Sequence, residues 1–273
     1  MTTTTDRPPT RYRPLSSLSS GNTGAVVFRG LLATKSNNWM IVVSGFFEPI
    51  FYLLSLGLGL GTFIGTVTDA NGNQIPYAAF IAPALLAVSA MNGAVYDSTW
   101  NVFFKMHFGK LYEGMLSTSL GPLDVALGEI TLALIRGGTY AIGFMIVMQV
   151  LGLNLAWTAI LALPAVLLIA FGFASLGMGI TSYLKTFQQM DWVNFVLLPM
   201  FLFSATFYPL SVYPQPIQWV IQALPLWHGV ELVRGLTTGV LSWAMVIHVL
   251  YYVVLICLGL VFTTRRLRSL FLD

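Results

Sequence analysis

The sequence predicts an all-α, polytopic membrane protein, and three observations carry that prediction. Hydrophobic residues make up 56% of the 273 residues and charged residues only 8%. The apolar residues fall into six runs, at 40–64, 78–102, 123–150, 157–183, 191–210 and 243–264, each near or beyond the roughly 20 residues a helix needs to cross a bilayer. The runs are continuous rather than alternating, which selects helices over a closed barrel as the way to satisfy backbone hydrogen bonds in lipid.

Orientation follows from where the 13 basic residues fall, because short cytoplasmic segments retain Lys and Arg. Arg7, Arg11, Arg13, Arg29 and Lys35 precede the first run. Lys105 and Lys110 lie between the second and third, Lys185 between the fourth and fifth, and Arg265, Arg266 and Arg268 after the sixth. Both termini are therefore expected in the cytoplasm. The gaps 65–77 and 151–156 hold no basic residue, and the first, with Asp69, Asn71, Gly72 and Asn73, reads as an exposed turn. Only Arg136 and Arg234 fall outside the pattern. The pI near 9.0 is a topology signal and a contact with anionic headgroups, not a nucleic-acid footprint.

Residues 1–21 are rich in Thr, Ser and Pro and read as a disordered cytoplasmic tail. They lack the basic-then-apolar order of a cleaved signal, so the first run is expected to act as an uncleaved insertion signal. Next, Asn22 or Thr23 can cap an interfacial helix over 24–35, with Val27, Leu31 and Thr34 on one side and Arg29 and Lys35 reaching headgroups. Either a plain anchor or a partner contact fits it. The first run carries Gly57, Gly61 and Gly65 at spacing four, a flat face for close packing within the chain or between subunits. The cytoplasmic segment 105–122 contains a candidate short helix over 110–120, ended by Gly121 and Pro122.

The outer segment 211–241 and the residues just before it are proline-rich, with Pro209, Pro214, Pro216 and Pro225, which forbids one straight span. Tyr208, Tyr213, Trp219 and Trp227 favour headgroup depth. Two short helices, 215–223 and 227–235, are expected to dip into the outer leaflet. The single cysteine, Cys257, excludes an intrachain disulfide and a thiolate metal site, and reads as a small buried residue.

Glu48, Asp97, Glu129 and Arg136 fall inside apolar runs, where a charge is costly and a candidate for function. Glu129 and Arg136 share one side of a helix but stand two turns apart. The expected partner of Arg136 is Glu48, either locking helices together or touching substrate. No catalytic set emerges: His107, His228 and His248 look dispersed, and no HExxH, GxSxG or Walker A motif occurs. No metal site is expected, and any ATP-driven work needs a separate polypeptide.

FEPIFYLLSLGLGLG (47–61), FIAPALLAVSAMNGA (80–94), ASLGMGITSY (174–183), FSATFYPLSVYP (203–214) and PLWHGVELVRGL (225–236) together resemble the type-2 ABC exporter permeases. Within them the chain is most similar to the nodulation-factor, or lipooligosaccharide, export branch, from about Asn22 to the C-terminus. The resemblance implies a bacterial plasma-membrane protein with six spans, a cytoplasmic interfacial helix, a coupling helix between spans two and three, and two outer re-entrant helices. It implies a second permease subunit and two nucleotide-binding subunits, which would hold ATP and Mg. Lys110, Tyr112 and Glu113 would couple to that ATPase, and Tyr208, Pro209, Pro225, Glu231 and Arg234 would belong to the re-entrant segment. Ala205 departs from the family, which usually has Gly after Ser204, and the Thr-rich tail has no counterpart. The implied activity is outward movement of an amphipathic glycolipid or lipooligosaccharide. Drug efflux by the same superfamily and an intramembrane lipid-modifying enzyme are the alternatives.

Overall fold

The computed structural model describes residues 19, 21–35, 47, 50–68 and 72–271. The expected tail, Glu48 and most of the start of the first run lie outside them. Helix α1 spans Thr23–Lys35. Helix α2, Ile50–Ile64, has a π-helical stretch over Leu53–Leu60 and stops at Gly65, whose φ of +74° suits glycine. A short antiparallel hairpin follows, β1 (Thr66–Thr68) with β2 (Gln74–Pro76), pairing Thr66 with Pro76. Helix α3, Tyr77–His107, contains a π turn at Asp97–Asn101.

Helix α4 covers Leu111–Leu116, shorter than the expected 110–120. Ser117 and Thr118 hydroxyls donate to the Gly114 and Met115 carbonyls, which ends the helix before Gly121. Helices α5 (Pro122–Val150) and α6 (Trp157–Thr181) come next. Helix α7 is Asp191–Phe203, 13 residues long and preceded by a 3-10 turn at Phe187–Met190. Helices α8 (Gln215–Ala223), α9 (Pro225–Thr238) and α10 (Ala244–Phe271) complete the chain.

Four helices, α3, α5, α6 and α10, are long and apolar enough to cross a membrane. The fifth run ends early because the backbone turns at 204–206, where Ala205 has a φ of +54°, rather than running on to 210. Helix α3 is the hub and touches α2, α5, α6 and α9. Its alanines, from Ala79 to Ala94, let those neighbours close in, and 94% of its most apolar window is buried against 22% for α10. Cys257, expected to be buried, lies exposed on the outward face of peripheral α10.

Two small-residue contacts set the outer helices in place. Val26 of α1 sits against Gly128 of α5, and Leu132 against Gly30. The docked face of α1 is thus Val26 and Gly30, while Phe28, Leu31 and Leu32 point outward. Helix α10 closes on α6 through Gly172 against Tyr252, Gly179 against Phe262 and Gly259 against Ser175. Gly57 packs on Ala78 and Ile81 and Gly61 faces Tyr77 at ordinary contact distance, so this face is used within the chain. Gly65 serves the turn instead.

A Cβ on Gly259 would come within 2.6 Å of Ser175 Cβ and 2.8 Å of its backbone carbonyl carbon. Gly259→Ala should therefore destabilise the protein by about 1–3 kcal/mol, read as a lower melting temperature in detergent. Gly114→Ala, on open helix surface, should be neutral or stabilising by up to about 1 kcal/mol.

Candidate functional site

A groove of about 470 Å³ opens between α2, α3 and α7. Tyr52, Tyr96, Trp100 and Phe201 line it with aromatic faces, and Asn92 and Asn194 add two carboxamides. The rings hold one another: Tyr52 meets Phe201 edge-on at 5.7 Å, and Tyr96 stacks with Trp100 at 6.3 Å. The spacing explains the wall, since Asn92, Tyr96 and Trp100 recur every four residues on one face of α3. Each carboxamide supplies two donors and an acceptor. None of these residues stood out in the sequence as a site, although two Asn within apolar runs were a visible signal.

The other side of the same stretch of α3 carries charge. Asp97 meets Arg136 of α5 at 2.8 Å, and Lys105 meets Glu129 at 2.6 Å. Arg136 pairs with Asp97 among the described residues, where Glu48 was the expected partner. Asn101 donates its carboxamide N–H to Asp97. Glu129 and Arg136 are seven apart and remain separate, as their two-turn spacing requires. Asp97 and Lys105 are eight apart, which in an unbroken α-helix overshoots two turns by about 80°. The π turn between them absorbs the extra residue and returns both to the stripe facing α5. Thr99 donates to the Val95 carbonyl, and Thr181 of α6 donates to that of Ser98, meeting carbonyls at the irregular turn.

The segment between α3 and α5 is tied to this ladder. Tyr112 of α4 is fully buried beside Glu129. Burial first, and then the Glu129 charge, pushes its phenol well above the ordinary value. Tyr112 therefore faces inward, not outward toward a partner, whereas Lys110 and Glu113 are exposed. Buried Asp124, three residues into α5, accepts from the Gly121 N–H at 3.0 Å and from the Ser19 and Thr23 hydroxyls at 2.7 and 3.2 Å. It caps α5 and pins the start of α1 with one carboxylate.

At the opposite end, Arg234 of α9 donates to Glu231 at 2.6 Å and to the Ala205 carbonyl at 2.8 Å, and lies 4.0 Å over the Phe80 ring. Pro209 precedes a 3-10 turn, and Pro225 starts α9 after the single linking residue Leu224. Tyr251 and Tyr252 of α10 donate to the carbonyls of Ala223 and Pro225, fixing that corner. Tyr208 and Trp219 are exposed. His228 and His248, expected apart, meet with Nδ1 atoms 2.7 Å from each other. Among the described residues no group of three or more His, Cys, Asp or Glu could hold a metal.

The structure thus combines helices long and apolar enough to cross a membrane, an aromatic groove on one side of α3 and, on the other, a charged ladder tied to α4. A family model described as ABC-2 type transporter matches residues 22–238, and the chain belongs to that family. It is similar to Nodulation protein J of Rhizobium leguminosarum bv. viciae, 31% identical over 217 residues, which cover 79% of this chain and 82% of the relative. Nodulation protein J of Sinorhizobium fredii is 31% identical over 226 residues, 82% of this chain and 84% of that one. The protein of the same name from Rhizobium meliloti is 29% identical over 217 residues.

Removing one partner of the Asp97–Arg136 pair strands the other. Asp97→Asn and Arg136→Gln should each cost about 3 kcal/mol, the low end for a buried pair because Asn101 still donates to position 97. The double variant should lose less than the sum, and additive losses in a double-mutant cycle of melting stability would refute a direct interaction. Ala205, buried at φ +54°, is strained by about 1–2 kcal/mol relative to the right-handed region. Ala205→Gly should raise stability by roughly 0.5–1 kcal/mol after glycine's greater unfolded freedom is deducted; an unchanged or lower melting temperature would contradict this.

Proposed function

We propose that the chain is the permease subunit of an ATP-binding cassette exporter that moves an amphipathic glycolipid or lipooligosaccharide outward across the bacterial plasma membrane. The groove between α2, α3 and α7 carries the reading. Aromatic faces suit the C–H faces of sugar rings, the two carboxamides suit hydroxyls, and the surrounding Leu85, Val88 and Leu198 suit an acyl portion. The names of the relatives point the same way, since nodulation factors are lipooligosaccharides in the family the sequence resembles. In this reading the chain has six spans, both termini are cytoplasmic, and α8 and α9 are re-entrant. A second permease subunit completes the path, and separate nucleotide-binding subunits bind ATP and Mg. Lys110 and Glu113 meet the ATPase, and Tyr112 passes movement of α4 to Glu129. Substrate moves because ATP-bound and ATP-free partners favour different permease states.

The test compares surface and cell-associated glycolipids in a deletion strain, the complemented strain and a strain carrying Trp100→Ala. Loss of a glycolipid outside with accumulation inside, restored by the parent gene and reduced about tenfold or more by Trp100→Ala at equal expression, is expected; one lost stacking platform of 1–3 kcal/mol has that effect. Unchanged glycolipids with new sensitivity to an amphipathic antibiotic would replace the reading with drug efflux.

A further inference from the structure

Behind α1 lies a second cavity, of about 370 Å³, enclosed by α1, α3 and α5. Among the described residues, five charged side chains line it: Arg29, Asp97, Lys105, Glu129 and Arg136. Both acids are engaged, Glu129 by Lys105 and Asp97 by Arg136. Arg29 has no carboxylate partner among the described residues; its Nη1 lies 3.8 Å from the Met115 sulfur. Among the described residues, three cations against two acids leave the lining one positive charge in excess. Arg136 is also incompletely satisfied. Its Nη1 touches Asp97 yet is buried without an aligned hydrogen bond, an unfavourable state for a group built to donate.

The mouth of the cavity is apolar. Leu31 of α1 and Ile135 of α5 are each 43% exposed beside it, and Leu132 continues the rim. From Glu129 to Thr139 the cavity follows α5 for about 15 Å, enough for a headgroup and the start of its chains. A charged inner wall with a net cation and an apolar outer edge matches an amphiphile with an anionic head.

We propose that this cavity binds one anionic phospholipid. Its phosphate offsets the surplus charge at Arg29, and its chains leave past Leu31, Leu132 and Ile135. Basic pockets between membrane helices recognise such headgroups, and guanidinium pairs with phosphate through charge-assisted hydrogen bonds. A zwitterionic headgroup fits less well because its own cation would face Arg29 and Lys105. The site is distinct from the aromatic groove and does not rest on the cargo assigned to it.

The experiment titrates purified protein in dodecyl maltoside with dioleoyl-phosphatidylglycerol, dioleoyl-phosphatidylcholine or inorganic phosphate, following thermal unfolding and, in parallel, lipid adducts by native mass spectrometry. Phosphatidylglycerol should give a saturable rise in melting temperature at a concentration at least about tenfold below phosphatidylcholine. Arg29→Gln, on the exposed side of α1, should raise the half-saturating phosphatidylglycerol concentration about tenfold, and Arg268→Gln at the far end of α10 should not. Equal titration by both lipids, or an Arg29→Gln protein that responds like the parent, overturns the proposal. A full shift with inorganic phosphate alone overturns it in favour of a free-anion site.

Discussion

The architecture depends on how α3 meets α5. These antiparallel helices must bring two acids and two cations together in a medium that does not solvate them, and each pair forms only if both helices present a matched stripe. Helix α5 does so with an ordinary seven-residue spacing. Helix α3 has eight residues between its charges and reaches the same alignment through its π turn. In that register Gly93 of α3 lies against Tyr140 and Gly137 of α5, and the alanines of α3 let α2, α6 and α9 close in.

The π turn also divides the molecule. Tyr96 and Trp100 face the aromatic groove, while Asp97 and Asn101 face the charged cavity under α1. A single turn therefore forms part of the wall of both. Glu129 extends the connection toward α4, since it holds Lys105 and lies beside buried Tyr112.

Much of the helical layout was legible because lipid imposes length and continuity on the apolar runs. The α8 segment, 215–223, matched the expected residues, and the two prolines flanking it explain why. The second, third, fourth and sixth runs correspond to α3, α5, α6 and α10. What could not be read was lateral register. Arg136 was assigned to Glu48 because depth alone ranks acids that are all equally deep; the choice of Asp97 depends on a π turn that no residue pattern announces. The inward direction of Tyr112 was hidden for the same reason, as a six-residue helix has too little periodicity to mark a buried side. The groove escaped notice because its parts lie on three helices far apart in the chain. Its two asparagines were the one sequence signal, and neither has a charge to draw attention.

The irregular turn in α3 also changes what a one-residue deletion would mean. In most helices such a loss rotates everything beyond it, whereas at Asp97–Asn101 it would convert the stretch back to a regular spiral and keep the register on either side. Lys105 would then stand seven residues from Asp97, the spacing that already separates Glu129 from Arg136, and both ion pairs would still face each other. The extra residue is thus a local device: it shapes the turn where the groove and the charged cavity meet and leaves the two ends of α3 in step.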